Sequence, residues 1–224
     1  MSKESKDETF LVRLERVVTK YGLDITTAQK KSLLNYLEQL NKWNKTYNLT
    51  AIRDQEKALV QHLFDSLSIV KPIQLKLQAK GITHPLILDV GSGGGLPGVI
   101  LAIALPDASI KCVDAVEKKI AFIQHVAGVL QLKNLKAVHM RIEELADQQM
   151  DIVTSRAFAS LKDFATLSGK HVSITGELVA MKGKHPMDEI SALQDTQWAV
   201  KDIETLTVPE LDAERCLVWM QRKG

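Results

Sequence analysis

Two cysteines in 224 residues leave no basis for a disulfide framework. Cys112 and Cys216 lack the short spacings that metal ligation or thiol redox chemistry needs, so they read as buried reduced thiols. Long apolar runs are missing too: no stretch approaches the ~20 residues that cross a bilayer. The start MSKESKDET is too polar for a secretory leader, so the expectation is a cytoplasmic chain with no membrane partner. Net charge is small, +2, with an isoelectric point near 8.4. Such a balance permits an anionic partner without demanding one, and any nucleic-acid contact must come from a local patch. No repeat or low-complexity tract is visible. What remains is ordinary: 45% apolar and 25% charged residues suit one globular domain of usual size with an added segment.

The stretch from Leu86 to Gly98, LILDVGSGGGLPG, organises the chain. Leu86 to Leu88 and Val90 form the short apolar run of a strand covered on both faces. Gly91, Gly93 and Gly95 then let a ligand approach the backbone. Pro97 suits a helix's first turn, and Val99 to Leu105 continues as a helix that Pro106-Asp107 ends. A dinucleotide or S-adenosylmethionine could occupy such a turn. The spacing G-x-G-x-x-G occurs from Gly93 to Gly98, but the glycine that closes the strand is Gly91, from which the pattern reads G-x-G-x-G. Asp89 favours the methyl donor, because a carboxylate facing the cradle holds an ammonium and repels a pyrophosphate.

Residues 1–80 read as a helical segment packed on the core. Phe10, Leu11, Leu14 and Val17-Val18 make one stripe. Thr26 or Thr27 can cap a long helix whose Leu33, Leu37, Leu40 and Trp43, with Tyr36 and Tyr47, make a second, until Asn44 to Thr50 break the period. Those aromatics could stack bases, but their helical spacing points to core packing. Asp54 can cap a third helix running through Val70 to Pro72. Within it His62 and Asp65 share a face. With no third ligand in view, no metal site is expected, and the pair reads as a polar patch against the neighbouring domain.

Residues 81–224 alternate strands and helices, the signature of a doubly wound parallel sheet. Strands are expected at Ser109–Asp114, Leu135–Met140, Asp151–Ala157 and Glu177–Gly183, a helix at Glu117–Leu132, and an antiparallel hairpin from Trp198–Val208 and Arg215–Gln221. Asp114, 23 residues after Gly91, can accept both ribose hydroxyls of a nucleoside. Past the third strand, the Ile142 N–H can meet adenine N1 while the Glu143 carboxylate accepts from the exocyclic amine. Arg156 falls at the tip of the fourth strand, where ligands bind in open α/β sheets. Lys182, Lys184 and His185 form the densest basic cluster near that crevice.

A sulfonium methyl transfers by in-line displacement, so alignment is the main requirement. Methylating carbon 5 of a pyrimidine needs a cysteine nucleophile, and neither cysteine sits at a strand tip. Methylating an exocyclic amine usually shows Asn or Asp followed by Pro-Pro and an aromatic, where Ser155-Arg156-Ala157 stands here. A ring nitrogen such as guanine N7 offers its lone pair without a base, and Arg or Lys suits both guanine O6 and phosphates.

The sequence closely resembles the RsmG family, also called GidB, bacterial enzymes that methylate N7 of a guanine in 16S ribosomal RNA. The resemblance lies in Asn48-Leu49-Thr50-Ala51-Ile52, in His62 to Leu67, in Asp89 to Gly98, and in Ser155-Arg156-Ala157 with Met181-Lys182-Gly183. It implies a class I S-adenosylmethionine-dependent methyltransferase: a Rossmann-like α/β fold whose seven-stranded, mostly parallel sheet ends in an antiparallel hairpin, preceded by the helical segment. It further implies that Gly91, Leu96, Ile142, Glu143 and Arg156 contact S-adenosylmethionine, with Asp114 on its ribose, while Asp89 and Gly93 complete the cradle. Lys182, Asn48, Arg53 and His62 would face the RNA, with Lys182 orienting the substrate during transfer. The partner would be 16S ribosomal RNA or the small ribosomal subunit, met by a monomer. The alternative is a methyltransferase acting on a protein or a small molecule.

Overall fold

The computed structural model describes residues 3–156, 158 and 160–224, with side chains from Thr9 onward. Met1 and Ser2 of the polar start, and Ala157 of the fourth expected strand, lie outside the described residues.

The chain opens with two helices, α1 (Lys3–Lys20) and α2 (Thr27–Tyr47). Thr26 caps α2 through a reciprocal box with Gln29: the Gln29 amide donates to Thr26 Oγ1 at 3.2 Å, and the Thr26 amide donates to Gln29 Oε1 at 2.8 Å. The expected break at Asn44 comes later. The helix runs to Tyr47 and ends at Asn48, left-handed at φ 50°. Asn44 stays helical because its side chain ties down the returning loop, donating to Ile52 O at 3.0 Å and accepting from the Thr50 amide at 2.8 Å.

The third expected helix is several pieces. Asp54 caps α3 (Gln55–Ala58), its Oδ1 accepting from the Lys57 amide at 2.8 Å. A π-helical stretch, Leu59–Phe64, follows, then α4 (Asp65–Leu67). After a turn at Ser68-Ile69 comes α5 (Val70–Ala79). Pro72 therefore sits in the first turn of a new helix, where its missing N–H leaves no bond unmade, instead of ending the previous one.

The sheet contains β1 (Leu86–Val90), β2 (Ser109–Asp114), β3 (Leu135–His139), β4 (Met150–Ser155), β5 (Val172–Lys182), β6 (Trp198–Leu206) and β7 (Arg215–Arg222). Their order is β3-β2-β1-β4-β5-β7-β6. All pairings are parallel except those of β7, antiparallel to both β5 and β6. The expected strands and the hairpin are all present, and β5 starts five residues earlier than its apolar run. Helices α6 (Gly98–Ala104), α7 (Glu117–Val129), α8 (Leu161–Ser168) and the short α9 (Met187–Ser191) complete the fold.

Alternation along β1 divides the core. Ile87 packs with α6, α7 and the helices from Phe10 to Leu77 on one face, while Leu88 and Val90 pack with Phe164 and Trp198 on the other. The strand order reverses between the parallel neighbours β1 and β4, β2 and β3 lying to one side and β4 and β5 to the other, so the crevice of the sheet opens above their carboxyl ends. Among the described residues no helix is long and apolar enough to cross a membrane.

Candidate active site

The glycine turn is built on Asp89. Facing α6, this fully buried carboxylate accepts from the Gly98 amide through Oδ2 at 2.8 Å, fixing the start of the helix. A Cβ at residue 98 would lie 2.3 Å from Cys112 Sγ and 2.8 Å from Asp89 Oδ2, so this packing requires glycine. The other oxygen, Asp89 Oδ1, is buried without a partner. Burial pushes this acid up to about 7, against the opposing pull of the Gly98 amide and the Arg156 charge. Gly91, left-handed at φ 67°, has open space where a side chain would project. Tyr36 of α2 closes the outer side, its hydroxyl donating to Gly94 O at 2.7 Å.

A cavity of about 240 Å³ opens beside the turn and brings together Gly91, Asp114, Ile142 and Glu143, with Ala115 and Phe158 on its walls. Asp114 Oδ2 accepts from the Gly93 amide and Oδ1 from the Val116 amide, both at 2.9 Å. Lys119 Nζ stands 3.6 Å from Oδ2. A carboxylate has about four lone-pair sites, so capacity for hydroxyl donors remains. Ile142 is buried and Glu143 exposed. Their backbone is held from below: His171 Nε2 donates to Ile142 O at 3.2 Å, and Lys170 Nζ to Glu143 O at 2.9 Å. Sequence reasoning missed both supports, which sit on a 3-10 turn before β5 with no motif around them. Leu96 is buried in the core and is not among the residues that line this cavity.

Arg156 lines a second cavity, about 340 Å³, with Gln61, His62, Asp65, Lys182 and Arg215. The π-helical stretch supplies the first two and α4 the third. Asp65, 3% exposed, holds two guanidinium groups: Arg215 Nε donates to Oδ1 at 2.8 Å, and Arg156 Nη1 stands 3.5 Å from Oδ2. Arg156 Nη1 also donates to Gln61 O at 3.2 Å. His62 bonds Thr50 Oγ1 through Nε2 at 3.0 Å, and burial, with the Arg156 charge, lowers its pKa to about 4, so it is neutral at pH 7. Lys182 Nζ pairs with Glu189 of α9 at 2.8 Å. The expected patch of His62 and Asp65 against the neighbouring domain is thus the wall of a cavity. Arg215 and Glu189 carried no sequence signal, since each meets its partner only through the folded sheet.

Asn48 and Arg53 lie outside both cavities. They are exposed and joined to each other, Arg53 Nη2 donating to Asn48 Oδ1 at 2.6 Å. Lys184 and His185 follow Lys182 but do not line the second cavity: the Lys184 backbone O accepts from Cys216 Sγ at 3.4 Å, and His185 Nε2 stands 3.4 Å from Thr205 Oγ1. Both cysteines are buried and free, and burial pushes the Cys112 and Cys216 thiols up, away from nucleophilic use. Among the described residues no group of three or more His, Cys, Asp or Glu could hold a metal ion.

S-adenosylmethionine fits these residues. The unpaired Asp89 Oδ1 is a buried acceptor suited to an ammonium, the open space over Gly91 admits a ligand against the backbone, and Asp114 lines the first cavity with acceptor capacity to spare.

Comparison with known proteins agrees. A crystal structure of a SAM-dependent methyltransferase from Aquifex aeolicus superposes with a TM-score of 0.53 at 16% identity, covering 70% of this chain and 92% of that one. A ribosomal protein L11 methylase from Lactobacillus delbrueckii subsp. bulgaricus gives 0.53 at 13% identity, covering 69% and 78%. These likenesses show that the chain shares the fold of these two proteins. In sequence, "Ribosomal RNA small subunit methyltransferase G" of Bordetella avium (strain 197N) is 56% identical over 222 residues, 99% of this chain and 98% of that protein. The protein of the same name from Acidovorax ebreus (strain TPSY) is 49% identical over 205 residues, 89% and 90% of the two chains. The family described as "GidB: rRNA small subunit methyltransferase G" matches residues 29–218, and the chain belongs to that family.

Proposed function

We propose that this protein transfers a methyl group from S-adenosylmethionine to N7 of a guanine in 16S ribosomal RNA, as naked RNA or within the small subunit. The observation that carries the reading is the pair of cavities at the crevice of the sheet, one lined by Gly91, Asp114, Ile142 and Glu143 and the other by Arg156, Arg215 and Lys182. When bound, the cofactor supplies an electrophilic sulfonium methyl. Asp114 accepts from the ribose hydroxyls, Ile142 and Glu143 meet the adenine, Gly91 and Gly93 admit the ligand to the backbone, and Asp89 Oδ1 accepts from the ammonium. Leu96 supports the turn from inside. Arg156 lines the second cavity, and its charge is felt at both Asp89 and His62.

The second cavity takes the guanine. Its cations favour an electron-rich base edge and the neighbouring phosphates, and Lys182 orients the ring by donating to O6. N7 attacks with an in-plane lone pair, so no general base is needed, which accords with a neutral His62 committed to Thr50 and with two buried thiols. The helical segment, residues 1–80, acts as a wall of this cavity against the domain of residues 81–224, with Asn48 and Arg53 on the RNA side. We place the protein in the cytoplasm as a monomer.

The test supplies tritiated cofactor with small subunits or 16S RNA lacking the modification. Label should appear in the RNA as a base that yields to borohydride and aniline cleavage. Label confined to protein or small molecules refutes the reading.

A further inference from the structure

Tyr47, in the last turn of α2, is 44% exposed although the aromatics of this helix share a spacing that suggests core. Tyr36 is fully buried, and Trp43 is partly buried against Phe122 and His125 of α7, with ring centroids 5.5 and 5.0 Å away. Trp43 then backs Tyr47, at 5.0 Å between centroids and 37° between planes. The core thus ends in an aromatic step whose last ring stands at the surface. The surroundings are mostly basic: from Gln39 to Arg53 the chain carries Lys42, Lys45 and Arg53 and no acidic residue, with Glu38 one turn before Lys42, all three cations being exposed. The flanking Asp54 is turned to its own helix, capping the Lys57 amide. The step also lies near the second cavity. Asn44, one turn before Tyr47, is bonded to Ile52 O, and Ile52 lines that cavity.

We propose that the end of α2 is a docking surface for single-stranded RNA flanking the target guanine: one base stacks on Tyr47, and Lys42, Lys45 and Arg53 hold adjacent phosphates. This rests on the functional reading above and adds the place and manner in which the strand is gripped. Stacking on an aromatic face tolerates any base, and a run of exposed cations in which positive charge outnumbers negative tracks a backbone. The surface therefore holds the strand in register without selecting sequence, which leaves the choice of base to the cavity.

The experiment measures methyl transfer to unmodified small ribosomal subunits, together with affinity for S-adenosylhomocysteine, for wild type, Tyr47→Ala, Tyr47→Phe and Lys42→Ala/Lys45→Ala. Tyr47→Ala should raise KM for the subunits about 5- to 100-fold with cofactor affinity within twofold of wild type. Tyr47→Phe should restore KM, since the ring and not the hydroxyl is used. The double lysine variant should flatten the dependence of KM on salt. A Tyr47→Ala KM within twofold of wild type, or a Tyr47→Phe as impaired as Tyr47→Ala, overturns the docking surface while leaving the activity in place. Wild-type protein that transfers no methyl to subunits or their RNA overturns the functional reading, and this surface with it.

Discussion

Replacing Asp89 with asparagine should change how stability depends on pH. The side chain is fully buried, has one oxygen on the Gly98 amide and leaves the other without a partner, and its acid is raised from 3.8 to about 7. Below pH 3.8 the folded and unfolded chains both hold the proton, and the stability associated with it is fully present. As pH rises, the unfolded chain releases the proton first, and folding loses about 1.4 kcal/mol per pH unit from this group. The loss levels off above the folded value of about 7, at a total of about 4 kcal/mol. Asparagine can keep accepting from Gly98 but cannot titrate, and its amide nitrogen is as unpaired as the oxygen it replaces. The informative quantity is therefore the slope and not the level. Urea unfolding from pH 4.5 to 8.5 should show wild type falling relative to Asp89→Asn until about pH 7 and running parallel above it. An ammonium placed against Oδ1 would ionise the acid, so S-adenosylhomocysteine should release about half a proton at pH 7 and bind more tightly as pH rises through that value. Calorimetry in two buffers of different ionisation enthalpy counts that proton. Parallel stability curves over the whole range, with no proton released, would refute the reasoning.

Asp65→Ala should leave Arg156 and Arg215 facing each other without a counterion. Their side chains are 25% and 23% exposed, so the cost should fall below that of a fully buried pair, at about 1–3 kcal/mol, seen as a Tm lower by about 2–12 °C; an unchanged Tm would mean that Asp65 holds neither arginine. Gly98→Ala should destabilise by about 1–3 kcal/mol through collision with Cys112 Sγ. Adding Cys112→Ala should recover part of this in denaturant unfolding, and no recovery would locate the strain elsewhere. Lys182→Ala should lower kcat/KM for small subunits at least about tenfold, the value of one charge-assisted hydrogen bond, with the dissociation constant for S-adenosylhomocysteine unchanged. A matching loss of cofactor affinity would make the role structural.

The sheet was legible because each strand is a short apolar run between turn residues, and because the glycine turn pairs a strand with a helix in thirteen consecutive residues, Leu86 to Gly98. Local chemistry likewise marked Thr26 and Asp54 as caps. The first cavity's residues were legible for a related reason: Gly91 follows β1, Asp114 ends β2, and Ile142 and Glu143 come three and four residues after β3, so finding the strands located them. The second cavity was harder to read. The π-helical stretch has no compositional mark, and it brings Gln61 and His62 to the same wall as Asp65. Arg215 reaches Asp65 across 150 residues of chain, a contact no spacing rule encodes. The aromatic period of α2 held for Tyr36 and lapsed at Tyr47, because the helix outruns the core that its earlier turns pack against.

The pairing of Lys182 with Cys216 across β5 and β7 places Arg215 next to the cationic wall only when the outer hairpin has closed. A nascent chain that has emerged from the ribosome as far as β5 already holds every residue of the first cavity, from Val90 to Leu167. The second cavity is still missing one guanidinium, so under the proposed assignment the cofactor site would be complete during synthesis before the substrate site is.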